Sequence, residues 1–188
     1  MNKLLITIVL VLTSISPALA EEQVCDKGAC FNKSTLIDGK QYPLLGIKTF
    51  RYLFFNIYTL ALYGPEGANS VDKILSPVPK KLIFHYRREI KKSDMTEGAD
   101  KNLEENPEVD RSQYKEFLDE INALYEDVDD GDRYSLEHTL NSGVSLYKGD
   151  KLLKTIGNPE FAKVYFGIWL SNYPLSKGLR DGLLNYNK

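Results

Sequence analysis

The segment that decides the fold of this chain is Gly46-Ile-Lys-Thr-Phe-Arg-Tyr-Leu-Phe-Phe-Asn-Ile-Tyr-Thr-Leu-Ala-Leu-Tyr63. Interpreted as one strand, it is apolar on both faces, so its sheet must be covered by protein on one side and by protein or a ligand on the other. Arg51 stands in the middle of it, and a buried arginine needs an anion or a carbonyl group as its partner. The segment therefore predicts a doubly covered sheet that contains a buried cation.

The first twenty residues have the pattern of a secretion signal. Lys3 precedes an apolar run over residues 4–12, and Ala18-Leu-Ala20 supplies small residues for a signal peptidase. We expect cleavage after Ala20, which leaves residues 21–188 as an exported domain, periplasmic or secreted. The apolar run is too short to span a membrane, and no other stretch approaches ~20 apolar residues. A lipoprotein would need a cysteine directly after the small residues, but Cys25 comes later.

The charge pattern argues against two classes of partner. The formal charge of the whole chain is −2, and basic and acidic residues are interspersed along it. Such a pattern creates no extended field of one sign for nucleic acid or for anionic lipid. We therefore expect neither partner.

The cysteines and histidines indicate no metal site and no cofactor. Cys25 and Cys30 are the only cysteines, and in an oxidising compartment they can close a small disulfide loop that acts as a local staple. A redox pair or a metal site would favour tighter Cys-x-x-Cys spacing and further ligands. His85 and His138 have no ligand partner at close spacing, and the acidic run 126–132 lacks glycine at the sixth place of a calcium loop.

The rest of the pattern predicts an α+β domain. The predicted strands cover residues 35–37, 42–45, 46–63, 81–90, 134–140, 144–147 and 152–156. The predicted helices cover residues 71–75, 93–104, 112–127, 159–173 and 175–184. Ser93 and Asn158 are the expected N-caps, and Pro159 occupies the first position of its helix.

In this order the segments resemble the bacterial, exported branch of the chalcone isomerase-like family. The similarity rests on the stretches Ile57–Tyr63 and Leu82–Ile90, the Lys148-Gly-Asp150 hairpin, and the helix Phe161–Leu170 followed by Pro174. It implies an open-faced β-sandwich, in which a helical layer covers a large, mostly antiparallel sheet. A ligand cleft is then expected between the sheet and the helices.

The resemblance also implies what isomerase chemistry would require. Those enzymes place an arginine on an early strand, a threonine further along, and a helical Tyr-x-x-Lys-x-x-x-Asn array, which stabilise an oxyanion as it develops. In this chain Met95, Gly98 and Asn102 occupy the array, and Tyr58 stands at the threonine position. Methionine donates no hydrogen bond and glycine carries no charge, so this pattern argues against isomerase activity.

Fatty-acid-binding relatives in the same family hold a carboxylate with an arginine and a tyrosine. Arg51 and Tyr58 fill those roles only if the strand bulges between them, because seven positions place them on opposite faces. Arg51 packed against backbone carbonyls or an acidic partner, and Tyr58 as core packing, stay open as alternatives. The predicted ligand-binding residues are Arg51, Tyr58, Lys48, Phe54, Phe55 and Asn102, with the helices after Ser112 and Pro159 completing an apolar wall.

The sequence thus predicts a non-catalytic binder of a small amphipathic ligand, such as a fatty acid. Two other classes of function remain as alternatives. One is an intramolecular lyase or isomerase of the chalcone isomerase type, which would need a proton donor in the cleft. The other is a structural protein of the cell envelope, which would have a filled interior with Arg51 paired to an internal carboxylate.

Overall fold

The computed structural model describes residues 22–185, so the expected signal peptide lies outside the described residues. Strands β1 to β9 are Gln23–Asp26, Ala29–Asn32, Ser34–Ile37, Lys40–Tyr52, Phe55–Tyr63, Lys80–Tyr86, Arg133–His138, Val144–Lys148 and Lys151–Ile156. Helices α1 to α5 are Val71–Leu75, Lys92–Glu104, Lys115–Leu124, Pro159–Leu170 and Lys177–Leu184, with a 3₁₀ turn, Arg111–Tyr114, before α3. Strands β3 to β9 form one sheet in which each strand pairs antiparallel with the next. The predicted α+β architecture is confirmed.

The segment 46–63 is a hairpin, so the prediction of one long strand is wrong. The chain reverses at Leu53 and Phe54, and Tyr52 pairs with Phe55. Leu53 has a φ of 53°, in the left-handed region that tight turns fill with glycine or asparagine. The segment contains neither residue type at this point, and both arms are apolar, so its sequence offers no signal of the reversal.

The large sheet is covered on both faces, as predicted. Helices α4 and α5 pack on one face, where the main core contains Leu60, Leu82 and Ile168, each with no exposed surface. The hairpin of β1 and β2 covers part of the other face. There the carboxylate of Asp26 accepts hydrogen bonds from both the amide and the hydroxyl of Thr49, each at 2.8 Å.

The β1–β2 hairpin contains the disulfide of the chain. Cys25 and Cys30 face each other across the two strands and are bonded. Phe31 of this hairpin is buried, and the guanidinium of Arg133 lies over its ring, 5.1 Å from the centroid. The two strands are not predicted from the sequence, because alternation over four residues is too short to stand out.

The start of helix α2 differs from the prediction because its cap comes from another part of the chain. Helix α2 begins at Lys92, and the side chain of Asp127 accepts the Lys92 amide at 2.9 Å. Ser93 is therefore not the N-cap, because a distant carboxylate satisfies the helix terminus. Asn158 is the N-cap of α4, as predicted, and accepts the Phe161 amide at 2.9 Å.

Candidate functional site

A cavity of about 590 Å³ lies between the sheet and the helices. Eight aromatic residues form its inner wall: Phe50, Tyr58, Phe84, Tyr86, Tyr125, Tyr134, Tyr165 and Trp169. Charged, exposed residues form its rim: Arg88, Glu89, Asp94, Glu97 and Lys101. The volume falls within the range of about 300–1,000 Å³ that is typical of small-molecule sites.

Pairing between strands assembles the aromatic wall. Phe50 of β4 pairs with Tyr58 of β5, which in turn pairs with Tyr86 of β6. The rings of Tyr58 and Tyr86 lie 6.0 Å apart, and Trp169 of α4 packs edge-on against Phe84 at 5.0 Å. Since alternate side chains of a strand share one face, a register that aligns these positions gives a continuous aromatic surface.

The hydroxyl groups of this wall differ in their partners. Trp169 Nε1 donates to the hydroxyl of Tyr58 at 3.1 Å, and the hydroxyls of Tyr125 and Tyr165 are hydrogen-bonded at 2.9 Å. The hydroxyl of Tyr134 accepts the backbone amide of Glu126 at 3.1 Å. The Tyr86 hydroxyl forms no hydrogen bond with any other residue of the 22–185 range. It is therefore the wall hydroxyl most available to a ligand.

Burial keeps these hydroxyls protonated. Loss of solvation on burial raises the pKa of Tyr86 and of Tyr125 well above the ordinary value for tyrosine, and it also raises the pKa of Tyr58 and Tyr165. Because the phenolate forms are disfavoured, the wall is neutral near pH 7. It presents hydrogen-bond donors, and it contains no anionic base of this type.

The structure places Tyr58 in the cavity wall but Arg51 outside it. Arg51 pairs with Asn56 close to the reversal of the hairpin, and its side chain is exposed. The expectation of a buried arginine is wrong, because the chain turns two residues later and β1–β2 does not cover this end of the strand. Arg51 has no ion pair within residues 22–185, so the alternative of an internal carboxylate partner is not observed either.

The other predicted ligand-binding residues also lie outside the cavity lining. The side chain of Lys48 runs over α5, where a Cβ added at Gly182 would come within 2.7 Å of Lys48 Cδ. Phe54 is 87% exposed and Phe55 is 56% exposed at the end of the hairpin. Asn102 Nδ2 donates to the carbonyl of Tyr173 at 3.1 Å, and this bond ties α2 to the segment after α4.

Helix α2 does contribute to the cavity. Met95 and Gly98, which stand where the resemblance would place tyrosine and lysine, both line it. The helix therefore faces the cleft as the resemblance implies, but it presents no side-chain donor at these two positions.

Tyr86, Trp169 and Arg88 are the functional candidates that the sequence interpretation did not single out. The alternation of β6 places Tyr86 on the same face as Leu82 and Phe84, which is the signal that points to it. Trp169 lies on the buried face of α4 and becomes a site residue only through its bond to Tyr58. Arg88 follows the end of β6, and its guanidinium lies 4.6 Å from the centroid of the Phe55 ring.

The two histidines have structural partners. Arg133 Nε donates to His85 Nδ1 at 3.2 Å, and His138 Nδ1 lies 3.2 Å from the carbonyl of Gly143. The part of the chain that the structure describes contains no cluster of three or more histidine, cysteine, aspartate or glutamate residues able to hold a metal ion. Within the same part, no helix has the length and apolar character needed to cross a bilayer.

Comparison with known proteins assigns the family. The chain resembles in fold a fatty-acid binding protein of Arabidopsis thaliana, AtFAP1, with 14% sequence identity and a TM-score of 0.65 over 88% of this chain and 97% of that one. No curated protein matches the chain in sequence. The family model described as chalcone isomerase-like matches residues 25–185, which cover most of the chain and every strand of the large sheet. The chain therefore belongs to the chalcone isomerase-like family.

Proposed function

We propose that this protein binds a small amphipathic molecule, such as a fatty acid, in the aromatic cavity and does not transform it. One observation carries the proposal: an aromatic cavity of about 590 Å³ contains the hydroxyl of Tyr86 without a hydrogen-bond partner among the described residues. Because this hydroxyl is not bonded within the described part of the protein, a ligand that supplies an acceptor can form a hydrogen bond with it, which contributes about 0.5–1.5 kcal/mol.

The wall hydroxyls indicate how the ligand is oriented. Tyr58 accepts from Trp169 and keeps its own proton for an acceptor, and Tyr86 pairs with it across the strands. Two neighbouring donors suit the carboxyl or carbonyl oxygens of a ligand. The oxygen-bearing end of the ligand then lies inside, against Tyr58 and Tyr86.

The remaining lining suits an apolar chain. Between the tyrosines and the rim the cavity is bordered by Ile57, Ile90, Met95, Ile168 and Leu175. Contacts with such side chains stabilise an alkyl chain by about 25 cal/mol for each Å² of apolar surface removed from water. The fold that this chain shares with AtFAP1, which is named as a fatty-acid binding protein, also supports the proposal. The secretion pattern of residues 1–20 supports a periplasmic or secreted setting.

A fluorescence titration tests the proposal directly, because Trp169 is the only tryptophan of the chain and lies in the cavity wall. The purified mature protein is first stripped of lipid by mild organic extraction and then titrated with a medium-chain saturated fatty acid. We expect a saturable change in emission and a rise in melting temperature with ligand concentration. Absence of both would refute the proposal.

Matched variants test the orientation of the ligand. Tyr86→Phe removes the free hydroxyl and is expected to weaken binding by about tenfold, which corresponds to one lost hydrogen bond. Tyr173→Phe makes the same change at an exposed position outside the cavity and should leave affinity unchanged. A large loss in Arg88→Gln together with no loss in Tyr86→Phe would place the carboxylate at the rim instead.

A further inference from the structure

We propose that the end of the β4–β5 hairpin docks on the surface of a lipid bilayer that contains anionic head groups. This hairpin tip is defined as Tyr52, Leu53, Phe54 and Phe55. Docking there would turn the mouth of the cavity toward the membrane. The docking is argued from the tip alone, and only its use in ligand exchange rests on the proposed function.

The hairpin tip is a continuous run of exposed apolar side chains. The exposed fractions are 64% for Tyr52, 73% for Leu53, 87% for Phe54 and 56% for Phe55. In the part of the chain that the structure describes, the other large exposed apolar side chains are Leu36, Leu140, Leu152, Tyr173 and Leu175, none adjacent in sequence to another. Scattered exposed side chains are ordinary, but a contiguous run of this kind marks an interaction site.

The stability of the fold does not explain why apolar residues occupy the hairpin tip. A two-residue turn between antiparallel strands favours asparagine or glycine, yet Leu53 occupies the position with a positive φ of 53°. A leucine in this region is strained, and such strain is found where a residue serves function rather than stability. The apolar residues of the tip therefore make its turn less stable than asparagine or glycine would.

Two arginines flank the tip. Arg51 directly precedes Tyr52 and is exposed, and the guanidinium of Arg88 lies over the ring of Phe55, 4.6 Å from its centroid. Within residues 22–185 neither arginine forms an ion pair, whereas the nearby Glu89 is paired with Lys91. Although the formal charge of the whole chain is −2, these two arginines at the tip are complementary to anionic lipid head groups.

The shape of the tip favours a bilayer over a protein partner. A stable protein interface buries about 1,200–2,000 Å² in total across a broad patch. Four side chains on a two-residue turn form a narrow, convex surface that is poorly suited to such a patch. Aromatic side chains flanked by arginines match the head-group level of a membrane, where rings insert and cations meet phosphate.

The tip is continuous with the mouth of the cavity. Tyr52 belongs to the tip and also lines the cavity, and Arg88 is both a rim residue and the partner of Phe55. A membrane bound at the tip would therefore lie beside the part of the rim that contains Arg88, whereas the acidic rim residues Asp94 and Glu97 are on α2. Under the proposed function, a poorly water-soluble ligand could pass between bilayer and cavity without crossing bulk water.

Co-sedimentation with vesicles tests the docking. The mature protein is mixed with vesicles of phosphatidylcholine alone or with added phosphatidylglycerol. We expect binding that is stronger on the anionic vesicles and weaker at high salt. The double variant Leu53→Ser with Phe54→Ser should lose about tenfold or more in partitioning, because apolar insertion is removed.

A control variant removes two exposed apolar side chains elsewhere on the surface. Leu140→Ser with Leu152→Ser replaces two exposed leucines away from the tip and should bind vesicles like the wild type. Failure of the wild type to bind, or equal binding by the tip variant, would overturn the proposal. Self-association that depends on the tip, without vesicle binding, would also overturn it and would identify a second copy of the chain as the occupant.

The Trp169 titration keeps the two proposals separate. Because Leu53 and Phe54 do not line the cavity, the tip variant should bind fatty acid with wild-type affinity in the absence of membranes. Vesicle binding by a protein that takes up no fatty acid would support docking and refute the proposed function. Loss of fatty-acid affinity in the tip variant would contradict the assignment of the tip as a separate surface.

Discussion

The two ends of the β4–β5 hairpin have similar apolar sequences, but one end is exposed and the other is buried. Tyr52-Leu-Phe-Phe55 and Leu60-Ala-Leu-Tyr63 are both runs of four apolar residues. The first run is 56–87% exposed, whereas no residue of the second is more than 1% exposed. Apolar composition therefore does not tell which run is in the core. The elements that cover each run decide it.

Close packing explains why the base of the hairpin is covered. A Cβ added at Gly46 would lie 2.0 Å from the carbonyl oxygen of Leu183, so α5 approaches the base of β4 more closely than any side chain would allow. On the opposite face, the hydroxyl of Tyr63 donates to the carbonyl of Asn32 in β2 at 2.9 Å. Neither α5 nor β1–β2 extends to the tip.

The largest expected effect lies in the buried run. Leu62→Ala removes a side chain with no exposed surface and is expected to lower the free energy of unfolding by about 2–5 kcal/mol. Phe54→Ala at the tip should change it by less than about 0.5 kcal/mol. Chemical denaturation of both variants measures the contrast, and equal losses would show that the tip is buried in solution.

A second prediction concerns the buried lysine beside the base of the hairpin. Lys80 is 1% exposed, donates to the carbonyl of Ser76 at 3.1 Å, and lies next to Lys81, the partner of Tyr63. Burial lowers the pKa of Lys80 to about 8 from 10.5. Because the pKa of Lys80 is lower in the folded state than in the unfolded state, folding favours the neutral amine. The contribution of Lys80 to the free energy of unfolding is therefore fully present above the unfolded-state pKa and is lost as the pH falls through about 8.

The wild type should therefore gain stability as the pH rises from 8 toward 10, and Lys80→Met should lack this gain. The difference between the two proteins is expected to change by on the order of 3 kcal/mol over the full transition. Thermal unfolding across this range is the measurement, and subtraction of the variant removes the contribution of tyrosine ionisation. Parallel curves for the two proteins would contradict a buried, titrating amine.

A third prediction concerns the disulfide of the β1–β2 hairpin, which covers the base of the β4–β5 hairpin. The double variant Cys25→Ser with Cys30→Ser opens a loop with a sequence separation of 5 and should destabilise the protein by about 2 kcal/mol, the size expected for so short a loop. Chemical denaturation of the variant gives the value. Fatty-acid affinity should be unchanged, because the hairpin lies on the face opposite the cavity, and a loss of affinity would link the two faces.

The smallest change in stability is expected for a substitution at Leu53 in the hairpin tip. Leu53→Gly relieves a left-handed backbone and is expected to raise the free energy of unfolding by roughly 0.5–1 kcal/mol, although it removes an apolar side chain. The same variant should bind anionic vesicles less well than the wild type. A variant that is more stable and binds membranes equally would show that Leu53 has no role in docking.

Most of the fold is predictable from local patterns, whereas the site is only partly so. Two elements that face the cavity in the structure are indicated by the sequence. They are β6, through the alternation along 81–90, and α4, through the apolar stripe after Pro159. The main error in the predicted site is the placement of Arg51. Its exposure depends on where one strand ends and the next begins. Tyr58, which the sequence interpretation named as a ligand-binding residue, lines the cavity, and its pairing with Tyr86 depends on the register of β5 with β6.

The sequence alone determined the α+β class, the order of the helices and of the strands after residue 80, the cap at Asn158 and the resemblance to the family. These depend on short-range periodicity and on backbone preferences that act within a few residues. Only the tertiary structure decided that the segment 46–63 reverses at Leu53, that Arg51 is exposed, and that Tyr58, Tyr86 and Trp169 meet. These depend on contacts between distant parts of the chain, and an apolar segment without a turn signal is compatible with more than one such arrangement.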